Sequence, residues 1–396
     1  MKILLGCSSP PDTAYDGIAT YTREVAESLI SLGHDVHIAA PSSDDLSWFK
    51  INNIYYIETD QYDDPCASSK RLYEYINKQG IEAIINNDNP YLQNVIPALQ
   101  CPCIVIGHLG EMVIASLACN ASKYTDYVVA ISNDMYSTFI RKYKVPIYKC
   151  PVILNGISDN NFDAIDLNEN KEFINVIYAG GSNKRKGYNE ILQSIRLYKS
   201  RWNGIKLHLF GNLPDAVLNE IKSLDYVVYY GVVKRDDFIK HLRAADVLLF
   251  PSRSEGCPMV MLEAMRFSVI SITSDGVGAM DSLVTSGRDG YICHLDHWAE
   301  QATECLVFLR QNNKILNRMK INARKRFLAD FQSHRVAKSL IELIEHPTVD
   351  RRNLHKQIDV FKWHRPVPKG RKKGTLLNRI RYRFGIIQKA GRVGLD

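Results

Sequence analysis

The sequence predicts an α/β protein built from two doubly wound domains, and three observations carry that reading. Its 396 residues exceed what one ordinary hydrophobic core organises. Short apolar runs of the buried-strand kind alternate with helical periodicity in two separate series, one ending near Gly156 and one beginning at Val176. The stretch between them turns polar through Lys171, as a connection between domains does.

In the first series, strands are expected at Ile3 to Gly6, Val36 to Ala40, Ile54 to Ile57, Ala83 to Asn86, Ile104 to Ile106 and Val128 to Ile131. Helical patterns intervene at Thr20 to Leu32, Ser69 to Lys78 and Asp134 to Tyr143. The first of these has an apolar face that includes Tyr21, Val25, Leu29 and Leu32. In the second series, strands fall at Val176 to Ala179, Leu207 to Phe210, Val227 to Tyr230, Val247 to Phe250 and Val269 to Thr273, and helical stretches from Trp298 to Leu343 close the domain. The expected domains are residues 1–155 and 172–331, with a hinge between Asn155 and Lys171. Functional sites of such folds form at the carboxyl ends of the strands, facing the crevice between domains.

Composition excludes several classes. An apolar share of 45% and a charged share of 23% are those of an ordinary globular protein, and no stretch approaches the roughly 20 apolar residues that cross a membrane as a helix. The apolar run at the N-terminus is too short for a signal peptide, so a cytoplasmic location is expected. Nine scattered cysteines, with Cys101 and Cys103 the only close pair, suggest neither a disulfide framework nor a zinc site. The net charge of +7 is concentrated in residues 347–396, where 14 Lys and Arg stand against three Asp, leaving the body at −4.

The most informative stretch runs from Val247 to Met265. A buried strand is followed by a turn at Ser252 to Gly256, and Pro258 is expected to open a helix filled by Met259 to Phe267, since a proline suits the first helical position. The first-turn N–H groups near Met259, Val260 and Met261 then present the positive end of the helix dipole, a place for a phosphate. Glu263 is the only charge between Pro258 and Met265, on a helix apolar on nearly every face. A buried carboxylate needs donors. Arg266 is the only local one, so either a core Arg or His meets Glu263 or a ligand does; its place about 7.5 Å along the axis from Pro258 suits the ribose of a nucleotide. Glu255, still on the loop, would face whatever the diphosphate carries.

The pair Glu255-x7-Glu263, preceded by Pro251-Ser252 and followed by Ala264-Met265, resembles the retaining sugar-nucleotide glycosyltransferases of the GT-B fold, family 4. That resemblance implies two Rossmann-like domains facing a central cleft, the first on the acceptor side and the second binding the nucleotide sugar, with residues 332–346 crossing back to the first domain. Further motifs match. Asp16-Gly17 after the first strand corresponds to the family's loop against the donor phosphates, although only one glycine is present; by itself Gly17 is equally a turn former. His108 follows a strand at its carboxyl end, where a lone histidine is often structural and where the family places one against the donor sugar. Lys186, in the basic turn before Gly187, matches the donor-phosphate lysine. The family's arginine after the strand glycine is missing here, where Gly181 or Ser182 stands, and Arg185 is expected to replace it. Gly211 and Val233, ending two further strands, correspond to backbone that reads the base. Asp246 reads as structural. The resemblance therefore implies His108, Arg185, Lys186 and Glu255 as catalytic residues, and Gly17, Gly211, Val233, Glu255, Gly256, Cys257, Pro258, Met259, Val260, Met261 and Glu263 as donor-binding.

The implied activity is transfer of a sugar from a nucleotide diphosphate sugar to a hydroxyl of a glycan or lipid-linked acceptor, as in building a cell-surface polysaccharide or lipopolysaccharide. No cofactor is implied. The sequence has no Asp-x-Asp, so a metal holding the diphosphate is not implied either. Two other readings share the two-domain pattern: a sugar-nucleotide 2-epimerase, for which acid and base residues are not evident, and a two-lobed sugar-binding protein, which should carry an export signal. In the basic tail, Leu376, Leu377, Ile380, Phe384 and Ile387 form a stripe bordered by Arg379, Arg381 and Arg383. That pattern suits an anionic membrane surface, and equally a solvated extension or a helix packed on the body; no recognition motif points to nucleic acid.

Overall fold

The computed structural model describes residues 1–12, 16–43, 45–59, 65–108, 119, 122–159, 172–197 and 199–351. Residues 160–171 of the expected hinge and residues 352–396 of the basic tail lie outside them. The chain divides into two compact units, Met1–Asn155 with the chain from Ser333 onward, and Gly156–Gln332.

The first unit is a six-stranded parallel sheet in the order β3-β2-β1-β4-β5-β6. Its strands are β1 (Lys2–Cys7), β2 (Asp35–Ala40), β3 (Tyr55–Glu58), β4 (Ala83–Asn87), β5 (Cys103–Gly107) and β6 (Tyr127–Ala130). Because helices cover both faces of such a sheet, the central strands carry continuous apolar runs, and Ile3, Leu4, Leu5, Ile84, Ile85 and Ile104 are fully buried. Helix α1 (Gly17–Ser31) begins three residues before the expected Thr20, because Asp16 caps it by accepting from the Ala19 N–H at 2.8 Å. Gly17 is thus the first helical residue and not a loop glycine. Short helix α2 (Ser47–Ile51) precedes β3, α3 (Pro65–Gln79) precedes β4, and α4 (Pro90–Val95) starts from an Asn89 cap with proline at its first position. Helix α5 (Asn133–Arg141) follows β6.

The second unit repeats the plan, in the order β12-β11-β10-β7-β8-β9. Its strands are β7 (Ile174–Tyr178), β8 (Ile205–Phe210), β9 (Val227–Gly231), β10 (Val247–Phe250), β11 (Ile270–Ser274) and β12 (Gly290–Cys293). Counted from the first strand of each unit, the two orders are the same. Helices α6 (Tyr188–Leu197), α7 (Asp215–Ile221), α8 (Arg235–Ala244), α9 (Met259–Arg266) and α10 (Met280–Leu283) connect them. The long stretch after Trp298 divides into α11 (Trp298–Gln311), α12 (Asn313–Asp330) and α13 (Ser333–Glu345), the first break falling at Asn312, whose backbone leaves the helical region.

Helix α13 belongs to the first unit, where the Ser28 hydroxyl donates to that of Ser333 at 2.9 Å. The chain then does not enter a free tail at residue 347. Fully buried Asp126 accepts from the N–H groups of Thr348 and Val349, both at 2.9 Å, and pairs with Arg351. Residues 347–351 are therefore part of the folded body, held by one carboxylate whose desolvation these donors offset. Asp246 is structural as expected: it is buried, pairs with Lys320 at 2.8 Å and accepts from the Asn175 N–H at 3.0 Å.

Candidate functional site

In the second unit, β7 and β10 lie side by side at the centre of the sheet, and the chain leaves them toward opposite edges. A crevice opens at such a switch point, at the carboxyl ends of the two strands. Two loops meet there, residues 180–187 after β7 and 251–256 after β10.

Their contact is close enough to require glycine. Gly187 has φ +79, and a Cβ on it would stand 2.1 Å from the Pro251 carbonyl oxygen. The Arg185 carbonyl accepts from the Arg253 N–H at 2.8 Å and from the Ser252 hydroxyl at 3.0 Å, while the Arg185 guanidinium donates to the Ser254 carbonyl at 3.0 Å. Lys186 sits in a single tight turn, Lys184–Lys186, which Asn183 caps by accepting from the Arg185 N–H at 2.9 Å. From that turn its ammonium reaches Glu255 Oε1 at 2.5 Å, which also accepts from the Ser252 hydroxyl at 2.7 Å. Lys186 keeps 28% of its side chain exposed and Glu255 8%, so the lysine retains an open side. Arg253 pairs with buried Glu190. Four cations, Lys184, Arg185, Lys186 and Arg253, are gathered with two carboxylates, leaving an excess of positive charge that suits an anion.

The sequence-expected residues thus divide. Arg185, Lys186, Glu255 and Gly256 come together on these two loops, with Cys257 and Pro258 following directly toward the next helix. On α9 the expectation is corrected at its start: Pro258 is the cap, with ψ 115, and not the first helical residue. Its carbonyl accepts from the Met261 N–H at 3.1 Å, so that amide is occupied within the first turn and is not offered outward. Met259 and Met261 are buried and Val260 is partly exposed. Glu263 is buried, and its carboxylate is met by Arg235, which opens α8, rather than by Arg266, whose guanidinium donates to the Ser158 carbonyl at 3.1 Å. Arg235 lies 28 residues before Glu263, beyond any helical spacing. Gly211, with φ +97, is a packing glycine: a Cβ there would stand 2.8 Å from the Gly181 Cα, and its N–H donates to the Gly231 carbonyl at 2.7 Å. Its amide is therefore not open to a base. Val233 is partly exposed in the turn between β9 and α8.

Sequence reasoning passed over Arg253 and Glu190, and took Ser252 only as part of the turn and its motif. With φ +57, Gly278 lies where a Cβ would come within 2.3 Å of the Glu255 carbonyl, and Ala279 N–H donates to the Gly256 carbonyl at 2.8 Å. In the sequence Gly276-x-Gly278 reads as a loop shaping the cleft, and this close contact is the physical reason for its second glycine.

Gly17 and His108 belong to the first unit. A Cβ at Gly17 would meet nothing within 4 Å, so space and not strain surrounds it. His108 follows β5, only 5% exposed, packed edge-on to Tyr21 at 4.9 Å between ring centroids, with Nε2 3.4 Å from Asn87 Oδ1. Burial pushes its pKa down to about 4, so the ring is neutral near neutral pH. The unfolded chain takes up this proton as pH falls through the ordinary histidine range, and the folded chain refuses it until about 4. Stability is fully present above about pH 6.5 and falls as the folded pKa is approached, by about 2 to 3 kcal/mol between about pH 7 and pH 4.5. Urea unfolding of wild type and His108→Asn at both pH values checks this: the variant should lose that much less on acidification, and equal losses would show that another group titrates.

The model of glycosyl transferases group 1 matches residues 159–326, and that of glycosyltransferase family 4 matches residues 15–161. The chain is 28% identical over 182 residues to the capsular polysaccharide biosynthesis glycosyltransferase CapM of Staphylococcus aureus, covering 42% of this chain and 47% of that protein. It is 21% identical over 379 residues to N-acetyl-alpha-D-glucosaminyl L-malate synthase of Bacillus anthracis, covering 85% and 95%. The match to a 41.2 kDa protein in the cps region of Klebsiella pneumoniae, 26% identical, covers 44% of this chain; the chain spans about half the length of that protein (49%) and of CapM. Among solved structures, Anabaena HepE in complex with UDP-glucose superposes with a TM-score of 0.69 at 14% identity, over 87% of this chain and 100% of that one.

Proposed function

Because the chain belongs to the GT-B glycosyltransferases of group 1 and family 4, we propose that it moves a sugar, with retention of configuration, from a nucleotide diphosphate sugar to a hydroxyl of a glycan or lipid-linked acceptor in the making of a cell-surface polysaccharide. The carrying observation is the cation cluster at the switch point of the second unit, with Lys186 held on Glu255 and Arg185 on the Ser254 carbonyl. In the reaction the bond between the sugar's anomeric carbon and the diphosphate oxygen breaks, and the acceptor oxygen bonds to that carbon and loses its proton. Negative charge grows on the departing diphosphate. Lys186 and Arg185, preorganised by the turn and by the β10 loop, meet that charge without rearranging, which is where such groups contribute most. Glu255 positions Lys186. Glu263 holds the ribose with one side of its carboxylate and Arg235 with the other. A capsular transferase among the relatives and a UDP-glucose complex among the structural neighbours support the donor and product classes.

The test is incubation with UDP-glucose, UDP-N-acetylglucosamine and GDP-mannose separately, following release of the nucleoside diphosphate. Slow hydrolysis of one donor is expected, together with weaker calorimetric binding of that nucleoside diphosphate to Glu263→Gln, since an ionised acceptor makes hydrogen bonds stronger by about 1 kcal/mol than an amide does. Hydrolysis of none of the three would sink the reading. Unchanged affinity in the folded variant would leave Glu263 with Arg235 alone.

A further inference from the structure

We propose that Asp88, at the switch point of the first unit's sheet, is the carboxyl that holds a hydroxyl of the acceptor glycan. This rests on the transferase reading and adds to it a residue on the other unit. In the order β3-β2-β1-β4-β5-β6, the chain leaves β1 and β4 toward opposite edges, so a ligand crevice is expected beyond their carboxyl ends. Cys7 and Asn87 are the last cross-strand partners there, and Asp88 is the next residue.

The turn that holds it is otherwise fully engaged. Asn86 donates to the Asn89 carbonyl at 3.1 Å and to Gln93 Oε1 at 2.6 Å, and accepts from the Asn89 N–H at 3.0 Å. Asn87 donates to the Thr22 hydroxyl at 3.3 Å. Asn89 donates to the carbonyls of Cys7 and Ala39 at 3.0 and 3.1 Å, while its oxygen caps α4. The turn is pressed on β1, since a Cβ at Gly6 would stand 2.4 Å from Asn86 Oδ1. Within this lattice Asp88 differs. Its φ is +57, it is only 8% exposed, and neither carboxyl oxygen has a hydrogen-bond partner among the described residues.

A buried acid with no donor is an expense that an asparagine or an apolar residue would avoid, and the local network does not use it. A ligand that satisfies it accounts for its presence. Burial raises the pKa of this carboxyl well above the ordinary range, which favours the protonated form, able to donate as well as accept. A hydroxyl, itself both donor and acceptor, fits either state. An anion would be repelled by the ionised form, and no cluster of three or more His, Cys, Asp or Glu among the described residues stands ready for a metal ion. Hydroxyl groups in number are what a glycan brings.

The experiment compares wild type with Asp88→Gly, which suits the positive φ and removes the carboxyl altogether. Octyl glycosides of glucose, galactose and N-acetylglucosamine serve as probes, their binding followed by saturation-transfer NMR, with donor hydrolysis measured in parallel. The variant should bind the best wild-type glycoside about tenfold more weakly, as the loss of one such hydrogen bond implies. Its thermal midpoint should be equal or higher. Equal glycoside binding, or none by wild type, overturns the proposal. So does a destabilised or unfolded variant, which would give the carboxyl a structural partner. Hydrolysis of none of the three donors by wild type is a separate outcome: it removes the transferase reading itself, and the acceptor role with it.

Discussion

Lys186→Ala should lower turnover of the nucleotide sugar by about 10²- to 10³-fold, the scale seen when one preorganised group facing developing charge is removed. The apparent KM for donor should move much less, because the charge that Lys186 meets grows as the glycosyl bond breaks and is smaller in the bound donor. The geometry makes the lysine hard to replace. Its ammonium is fixed at 2.5 Å from Glu255 Oε1, and the same oxygen is held by the Ser252 hydroxyl. A water or a distant cation entering the vacated place would have no such support. Steady-state kinetics with the donor identified by hydrolysis decides it. A variant that keeps turnover but raises KM in proportion would show Lys186 to be a ground-state binding group, and the catalytic assignment would fall.

The second large effect concerns stability. Lys320→Ala should cost about 3 to 5 kcal/mol, because it leaves the Asp246 charge buried without its cation. Asp246 is 0% exposed and Lys320 3%. Around this carboxylate three strands begin: its oxygens face Lys320 and the Asn175 N–H, its own N–H donates to the Asn175 carbonyl at 2.8 Å, and its carbonyl accepts from the Ile270 N–H at 3.1 Å. Urea denaturation measures the loss. Combining Lys320→Met with Asp246→Asn should recover much of it, since the cost comes from an orphaned charge and not from a lost attraction. A loss in the single variant below about 1 kcal/mol would mean that Asp246 relaxes to water and does not hold the strands together.

Much of this architecture was legible in the chain itself. Parallel strands buried on both faces must be apolar throughout, and runs such as Ile3 to Leu5 and Val247 to Phe250 announce them. The loops of the site were legible for a similar reason: glycines, prolines and basic residues clustered between a strand and a helix have few other uses, and Lys184 to Gly187 and Ser252 to Pro258 fall where the sheet order opens its crevice. Boundaries were less legible. The start of α1 was set by one hydrogen bond from Asp16, and the start of α9 by which side of Pro258 turns helical.

What the sequence by itself determined, then, is what depends on neighbours along the chain: the alternation of strand and helix, the two series, and the loops rich in glycine and charge. What only the tertiary structure decided is which distant side chain answers each buried charge. Glu263 meets Arg235 and not Arg266, Glu255 meets Lys186, Asp126 gathers residues 348–351, and the Asp88 carboxyl has no hydrogen-bond partner among the described residues. Periodicity and propensity act over a few residues, through backbone dihedrals and the burial of one face. An ion pair forms where the sheet order brings two loops together, and no pattern along the chain records that distance in space.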